Sequence, residues 1–214
     1  MNRFDQNQYW INRHNKLCAD PRSIHNINST DEQIEKSERI GRDLILECIR
    51  IIKPAAKVLD IGCGIGRIAP LYLDAGLQYT GIDVSPTAIE VAKTKCPDGR
   101  FLVGSALDID TKQLERYDLA SVIYVFMHFV DDNHWSELIR RISGHLNIGG
   151  GLLFADTFPA ETSRPEQHVA FRPIKTYCEE FDMCGLELDD EFSTALHAAY
   201  GAHAKPFRYA RKVR

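Results

Sequence analysis

The stretch Val58-Leu59-Asp60-Ile61-Gly62-Cys63-Gly64-Ile65-Gly66 decides the fold of this 214-residue chain. A short β-prone run, Lys57 to Ile61, leads directly into three glycines at alternate positions, and Arg67 to Ala75 then has the pattern of a helix. Glycine adopts positive φ angles and lets a ligand approach the backbone, because it has no Cβ. Doubly wound sheets bind nucleotides at a glycine-rich turn of this kind, between the first strand and the helix that follows it.

Strand and helix patterns alternate along the rest of the chain. A helix begins at the capping residue Thr30 and ends before Pro54, and further helices are predicted at residues 67–75, 85–95, 132–146 and 174–184. Strands are predicted at residues 57–61, 79–83, 100–103, 120–126, 152–156, 186–190 and 207–213. We expect a loop between the last two strands and an antiparallel last strand. This alternation predicts an α/β fold, with a doubly wound, mostly parallel seven-stranded sheet.

Composition and length narrow the class of protein. A chain of 214 residues with 44% hydrophobic residues suits one globular domain over residues 1–214, in which residues 1–30 form a segment that covers the substrate. The net charge of −4 argues against general nucleic-acid binding. No apolar run approaches the roughly 20 residues that span a bilayer, and the N-terminus lacks a signal-peptide core. We therefore expect a cytoplasmic protein that does not bind membranes.

An acidic residue on the second strand indicates which kind of ligand the glycine turn binds. Asp83 follows Gly62 by 21 residues, where its carboxylate can accept hydrogen bonds from both hydroxyls of a ribose. Its alternative role is to cap the next helix, for which Ser85 is the better candidate. Arg67 occupies the place of the third glycine in the dinucleotide pattern G-x-G-x-x-G, which counts against NAD as the ligand.

These segments resemble the motifs of class I S-adenosylmethionine-dependent methyltransferases. The stretch from Val58 to Gly66 is similar to the first motif of that family, and Gly81-Ile82-Asp83-Val84-Ser85 is similar to the second. Leu146 to Leu153 resembles the turn before the fifth strand, so the resemblance covers roughly residues 40–160. It implies a Rossmann-like methyltransferase fold, with S-adenosylmethionine as cofactor and S-adenosylhomocysteine as product.

The resemblance also implies where the cofactor binds. Asp60 would organise the turn or meet the amino-acid part of the cofactor, and Asp83 would hold its ribose. Many members carry an acidic residue near the adenine, whereas this chain has Ser105 there, so Ser105, the backbone of Ala106 or Asp108 would make that contact. The expected cofactor residues are Asp60, Gly62, Cys63, Gly64, Gly66, Arg67, Asp83, Val84, Ser105, Ala106, Leu107 and Tyr124.

The methyl acceptor should lie beyond the carboxyl ends of the fourth and fifth strands. We expect Tyr124 near the transferring methyl group and predict His128 as a general base. A structural histidine beneath the substrate pocket is an equally weighted alternative for His128. The segments on either side are expected to contact the acceptor through Tyr9, Trp10, Arg13, His14, His128, Phe158, His168, Phe171 and Arg172.

Three functions remain open from the sequence. The leading one is methyl transfer to an oxygen or nitrogen atom of a small molecule, because no recognition domain for macromolecules is evident. Methylation of a protein or peptide is the second, and a non-catalytic domain that binds S-adenosylmethionine is the third. No catalytic metal is predicted, because Tyr124 and the pair Asp156-Thr157 do not match the ligands of metal-dependent catechol-type methyltransferases.

Overall fold

A computed structural model of the chain describes residues 4–24, 27–108 and 113–214. The helices are α1 (Gln6–Leu17), α2 (Asp31–Ile52), α3 (Ala69–Asp74), α4 (Pro86–Lys95), α5 (Asp132–Gly144), α6 (Ile174–Cys184) and α7 (Asp190–Tyr200). The strands are β1 (Lys57–Ile61), β2 (Gln78–Asp83), β3 (Arg100–Val103), β4 (Tyr117–Ile123), β5 (Leu146–Ala155), β6 (Ser163–Glu166), β7 (Val169–Phe171), β8 (Leu186–Leu188) and β9 (Phe207–Lys212). Among the helices of these three ranges, none is long and apolar enough to cross a membrane.

Seven strands form one sheet in the order β3-β2-β1-β4-β5-β9-β8. Strand β9 is antiparallel to both of its neighbours, and the other pairs are parallel. The predicted doubly wound, mostly parallel sheet with an antiparallel last strand is therefore confirmed. Winding reverses between β1 and β4, and sheets of this kind bind ligands in the crevice at the carboxyl ends of the strands at such a reversal.

Helices cover both faces of the sheet, and the residues of β1 alternate between the two sides. Val58 packs into an apolar cluster with residues of α2, α3, α4 and α7. Leu59 and Ile61 pack into a second cluster, with residues of α5 and α6. The central strands are apolar on both faces because each face is buried under helices. The cores fix the sheet, so the ends of its strands form a rigid frame for a site.

Helix α2 begins and ends where local chemistry predicts. The hydroxyl of Thr30 accepts a hydrogen bond from the amide of Gln33 at 3.2 Å, and the Gln33 side chain accepts one from the amide of Thr30 at 2.9 Å. This is the predicted capping box. Lys53 adopts a left-handed conformation after the last turn, directly before Pro54.

The limits of β4 and β5 differ most from the prediction, whereas those of β2, β8 and β9 differ by one or two residues. The fourth strand was predicted at residues 120–126 but spans Tyr117–Ile123, because Tyr124 takes a φ of 57° and turns the chain away. The fifth was predicted at residues 152–156 but begins at Leu146, since the chain stays paired to β4 across an irregularity at its glycines. In both cases the apolar run and the hydrogen-bonded strand have different limits.

Two connections have more structure than predicted. Helix α7, capped by the Asp189 side chain, joins β8 to β9 where a loop was expected. Residues 157–173, expected to form a loop over the acceptor, contain the antiparallel hairpin of β6 and β7. The polar first 30 residues contain α1 and a short 3-10 turn at Pro21–Ser23. Helix α7 packs on one face of the sheet, whereas residues of α1 and of the hairpin line the cavities described below.

Candidate active site

A first cavity, which we call the glycine-loop cavity, lies at the carboxyl ends of β1, β2 and β4. Ten of the twelve predicted cofactor residues line it, and the other two, Gly66 and Leu107, do not. Its lining consists of Gln6, Asn7, Trp10, His14, Ile24, Asp60, Ile61, Gly62, Cys63, Gly64, Arg67, Ile68, Ile82, Asp83, Val84, Gly104, Ser105, Ala106, Ile123, Tyr124, Val125, His128 and Phe129.

Two backbone amides hold the carboxylate of Asp83 at the end of β2. The amide of Gly64 donates to Oδ2 at 2.9 Å, and the amide of Ser85 donates to Oδ1 at 2.9 Å. Burial raises the pKa of Asp83, against the effect of these amides and of His14. Each carboxylate oxygen still has a lone pair for a ligand hydroxyl. Ser85 itself caps α4, accepting from the amide of Ala88 at 3.2 Å, so capping does not explain Asp83.

Asp60 ties the glycine turn to the neighbouring strand. The hydroxyl of Tyr79 on β2 donates to Asp60 Oδ2 at 2.7 Å. Burial raises the pKa of Asp60 to about 7, although this hydrogen bond and the charge of Arg67 act in the opposite direction. Asp60 also lines the glycine-loop cavity. The carboxyl group therefore fits the predicted role of organising the turn, and a ligand in the cavity can reach it.

The first glycine of the turn packs closely against the segment that follows β4. Gly62 has a φ of 70°, and a Cβ there would lie 2.5 Å from Cγ2 of Val125. Both residues line the glycine-loop cavity. A side chain at this point would therefore clash with Val125 and displace the turn or the segment after β4.

Gly66 packs the turn against α4, which makes its replacement costly. Its φ is 73°, and a Cβ there would lie 2.9 Å from the Cβ of Ala92. We expect Gly66→Ala to lower the free energy of unfolding by about 3 kcal/mol, from backbone strain and overpacking together. Gly76→Ala is the matched control, because Gly76 has a φ of 80° with nothing within 4 Å. Urea unfolding should give the control a loss of about 1 kcal/mol; equal losses would contradict the packing argument.

Helix α1 lies beside this turn and contributes one face to the cavity. Asn7, Trp10 and His14 recur at helical spacing and line it. The hydroxyl of Thr87, in the first turn of α4, donates to Asn15 at 2.6 Å and ties the two helices together. His14 was predicted to contact the acceptor, but the structure places it in the glycine-loop cavity, close to Asp83.

A second cavity, the outer cavity, has a volume of about 970 Å³ and adjoins the first. Seven residues line both cavities: Trp10, Ile24, Arg67, Ile68, Ile123, Tyr124 and His128. The rest of the outer lining is Tyr9, Arg13, Ile27, Asn28, Gln33, Lys36, Ser37, Ile40, Gly41, Leu44, Ile45, Met127, Glu166, His168, Val169, Ala202, His203, Pro206 and Phe207. Five of the nine predicted acceptor residues are therefore in this lining, namely Tyr9, Trp10, Arg13, His128 and His168.

Arg67 stands between the two cavities. Burial lowers the pKa of its guanidinium, and the charges of Glu38 and Asp60 oppose this effect. Its Nε is buried without a hydrogen-bond partner among the residues that the structure describes. Gly41 on α2 faces the guanidinium, and a Cβ there would be in ordinary contact with it, 3.5 Å from Nη1. Arg67 was predicted as a cofactor contact, and its position also gives it access to a molecule in the outer cavity.

His128 is held by its ring nitrogen Nδ1, which lies 2.9 Å from the carbonyl oxygen of His168. Since a carbonyl only accepts, Nδ1 carries the proton and Nε2 keeps its lone pair. Burial lowers the pKa of His128 to about 4, against the effect of this hydrogen bond. The imidazole is therefore neutral at pH 7, and its ring packs edge-on against Trp10, with the centroids 4.6 Å apart. A neutral imidazole with a fixed tautomer suits a general base.

His168 connects the β6–β7 hairpin to α1. Its ring stacks on that of Tyr9 with 4.5 Å between centroids, and its Nε2 lies 3.4 Å from the Tyr9 hydroxyl. The same hydroxyl accepts a hydrogen bond from Arg13 at 3.2 Å. These contacts close one side of the outer cavity. The wall is built from two chain segments that are about 160 positions apart in sequence.

Tyr124 is the residue that ends β4 and lines both cavities. Its φ of 57° is strained for a residue with a large side chain. Its amide nevertheless donates to the carbonyl of Ala155 at 2.9 Å, so β5 holds the strained turn in place. The side chain is 42% exposed and packs edge-on against Phe207. Strain of this kind persists where the surroundings fix it, which is common at functional sites.

Four predicted acceptor residues lie outside the outer cavity. His14 lines only the first cavity, and Phe158 and Phe171 line neither. Arg172 is 2% exposed and lies over the ring of Trp135, where it donates to Asp132 at 2.6 Å. Its contacts are structural, and they tie the end of the hairpin to α5.

The structure adds lining residues that were not predicted. On α1 these are Gln6 and Asn7, which precede Trp10 and His14 at helical spacing, so the helical pattern was the available signal. One face of α2, residues 33–45, and the segment 202–207 line the outer cavity. Nothing in the sequence of α2 distinguishes this face from one that packs on the core. Across the three described ranges, no group of three His, Cys, Asp or Glu side chains is arranged to hold a metal ion.

Comparisons with known proteins agree with this geometry. The model of a family described as a methyltransferase domain matches residues 59–152. The chain is 30% identical over 138 residues to the demethylmenaquinone methyltransferase of Thermotoga maritima, a match that covers 64% of this chain and 58% of the relative. The matches span between 45% and 63% of the lengths of the first curated relatives.

Solved structures show the same fold at low sequence identity. The cyclase SpnF superposes with a TM-score of 0.67 at 17% identity, covering 96% of this chain and 94% of the other. The magnesium protoporphyrin IX methyltransferase of Synechocystis PCC 6803, solved with bound S-adenosylmethionine, gives a TM-score of 0.63 at 16% identity and covers 87% and 88%. At these identities the likeness concerns the fold alone.

Proposed function

We propose that this chain is a class I S-adenosylmethionine-dependent methyltransferase, and that it transfers the methyl group of S-adenosylmethionine to an oxygen or nitrogen atom of a small-molecule acceptor. The observation that carries the proposal is the wall common to the two cavities. Tyr124, His128 and Trp10 line the glycine-loop cavity on one side and the outer cavity on the other. A donor and an acceptor bound in the two cavities would meet at these residues.

The glycine-loop cavity fits the cofactor of the family. The Asp83 carboxylate has lone pairs left for the ribose hydroxyls, and Gly62, Cys63 and Gly64 of the glycine turn line the same cavity. Ser105 and Ala106 line the same cavity, where the adenine contact was predicted. When bound, S-adenosylmethionine supplies an electrophilic methyl group on a sulfonium centre.

The outer cavity supports a small acceptor with both apolar and polar groups, because Arg13, Lys36 and Glu166 line it together with apolar side chains. Its volume of about 970 Å³ is at the upper end of the range of small-molecule pockets. Isoleucines of α2 and the rings of Trp10 and Phe207 make much of the lining apolar. The T. maritima relative is named as a demethylmenaquinone methyltransferase. A ring compound with a hydroxyl or amino group is the acceptor class that this lining favours.

The residues of the chain position the acceptor, exclude water from it and supply a base. Trp10 and the stacked pair of Tyr9 and His168 exclude water from the side of the outer cavity nearest His128. The Nε2 lone pair of His128 accepts the proton of an acceptor hydroxyl or amine as the new bond to carbon forms. Holding the acceptor near the methyl carbon accounts for much of the remaining rate, because the donor is already activated.

Labelled S-adenosylmethionine tests the proposal directly. The protein is incubated with methyl-labelled cofactor and a metabolite extract, and labelled products are separated into small-molecule and protein fractions. We expect label in the small-molecule fraction, none with Asp83→Ala, and binding of S-adenosylhomocysteine by calorimetry. Label confined to the protein fraction would favour the peptide methyltransferase alternative. Tight cofactor binding without any labelled product would favour the non-catalytic one.

A further inference from the structure

His14 is a buried polar side chain that lacks a complete set of hydrogen bonds. It is 2% exposed, it lines the glycine-loop cavity, and its Nδ1 has no hydrogen-bond partner among the described residues. A buried polar atom without a partner reduces stability, so such atoms in native proteins call for an explanation. The lining of a cavity offers one, because the missing partner can belong to a ligand.

Asp83 lies near His14 and limits what that ligand can be. The two groups are close enough for the charge of each to act on the pKa of the other. Burial lowers the pKa of His14 despite the carboxylate, so the ring is a neutral group with one donor and one acceptor nitrogen. A hydroxyl that donates to Asp83 can at the same time accept from an imidazole N–H. Two adjacent hydroxyls, as on a ribose, would satisfy both side chains.

One face of helix α1 carries His14, and another face lines part of the outer cavity. Asn7 and His14 line only the glycine-loop cavity, whereas Tyr9 and Arg13 line only the outer cavity. Tyr9 contacts His168, whose carbonyl holds His128. A ligand that fixes His14 therefore also fixes the wall against which the acceptor binds.

We propose that His14 is a ribose-binding residue that acts with Asp83, so that cofactor binding fixes α1 and completes the outer cavity for the acceptor. The proposal rests on the proposed function, because it takes S-adenosylmethionine as the ligand of the first cavity. It implies an order, in which the cofactor binds before the acceptor. It also assigns His14 to the binding of the methyl donor, S-adenosylmethionine, rather than to the binding of the methyl acceptor.

Calorimetry with S-adenosylhomocysteine tests the contact. His14→Leu removes both ring nitrogens but keeps an apolar side chain of similar size, and we expect about 10-fold weaker binding. Without ligand, the same variant should melt at an equal or higher temperature, because it no longer buries an unpaired nitrogen. His14→Gln keeps a donor and an acceptor and should bind within about 3-fold of wild type. Lys16→Ala, an exposed position on the same helix, should change neither property.

The 2′-deoxy analogue of S-adenosylhomocysteine identifies the atom that His14 contacts. We expect the loss of the hydroxyl to weaken binding to wild type. The fold-loss in affinity of wild type should be at least three times the fold-loss in affinity of His14→Leu. Equal losses in the two proteins, both with this analogue and with the 3′-deoxy analogue, would overturn the ribose assignment. Wild-type affinity of His14→Leu for S-adenosylhomocysteine would overturn the whole inference while leaving the proposed function intact. Failure of the wild-type protein to bind S-adenosylhomocysteine would instead contradict the proposed function.

Limited trypsin digestion tests the effect on α1, which contains Arg13 and Lys16. At a concentration 100 times the Kd, S-adenosylhomocysteine should slow cleavage at these residues in wild type by about 10-fold or more. In His14→Leu, at 100 times its own Kd, this protection should be lost. Equal protection in the two proteins would show that α1 responds to the ligand through other contacts and would overturn the coupling.

Discussion

Replacing Asp83 with alanine should weaken the binding of S-adenosylhomocysteine by on the order of 10²–10³-fold. Two hydrogen bonds from ribose hydroxyls to a buried charge are lost, and bonds to charged groups contribute about 1.5–3 kcal/mol each at most. The same carboxylate accepts the amides of Gly64 and Ser85, so the variant also leaves these two donors without their partner. Calorimetry measures the affinity, and thermal unfolding without ligand measures the cost to the fold.

Asp83→Asn separates the two effects, because an amide oxygen still accepts one of the backbone bonds. We expect it to retain most of the thermal stability while it loses at least 10-fold in affinity, since the charge is gone. Asp74→Ala removes an exposed carboxylate at the end of α3 and is the matched control for net charge. An affinity of Asp83→Asn equal to that of wild type would rule out a ribose contact through the charged carboxylate.

The sheet was predictable from the sequence because its signals are local. The central strands are short β-prone runs next to a glycine turn or a helix cap, such as β1 before the glycine turn and β2 before Ser85, which caps α4. The meeting of the glycine turn with Asp83 was predictable for the same reason. The glycine turn and Asp83 lie at the ends of adjacent parallel strands, so the fold brings them together without further information.

The strand limits were less predictable, since apolar character does not show where pairing stops. Residues 120–126 are apolar or aromatic except for Ser121, yet β4 ends at Ile123 because Tyr124 adopts a left-handed conformation. That conformation is held by a hydrogen bond to Ala155, about 30 residues away. Helix α7 was missed in a similar way, because its packing against α2 and the sheet stabilises a segment that was not a convincing helix by itself.

The acceptor end depends on contacts between distant segments, which local patterns do not encode. Arg172 and His168 belong to the same predicted contact segment, but one is buried against Trp135 and the other faces Tyr9 in the outer cavity. His14 is four residues from Trp10 on α1, yet it lines only the glycine-loop cavity. Which cavity a polar residue faces is decided by how α1 and the hairpin dock on the sheet.

Replacing His128 with asparagine should lower kcat by about 10²-fold and leave the affinity for S-adenosylhomocysteine within about 3-fold of wild type. The asparagine amide can still donate to the carbonyl of His168, as Nδ1 does at 2.9 Å, but it offers no lone pair in place of Nε2. General bases contribute about 10²–10⁴-fold, and a pKa of about 4 makes His128 a weak base, which favours the lower end.

The structural alternative for His128 predicts a different pattern. If the ring only supports the hairpin, His128→Asn should keep its turnover, whereas His128→Ala should lose turnover, thermal stability and cofactor affinity together. The pH profile gives a second distinction. The base form of His128 dominates above its pKa of about 4, so protonation of this group should reduce kcat only as the pH falls toward 4. A fall in kcat near pH 6.5 in wild type, absent from His128→Asn, would contradict the buried, neutral imidazole on which the proposed base depends.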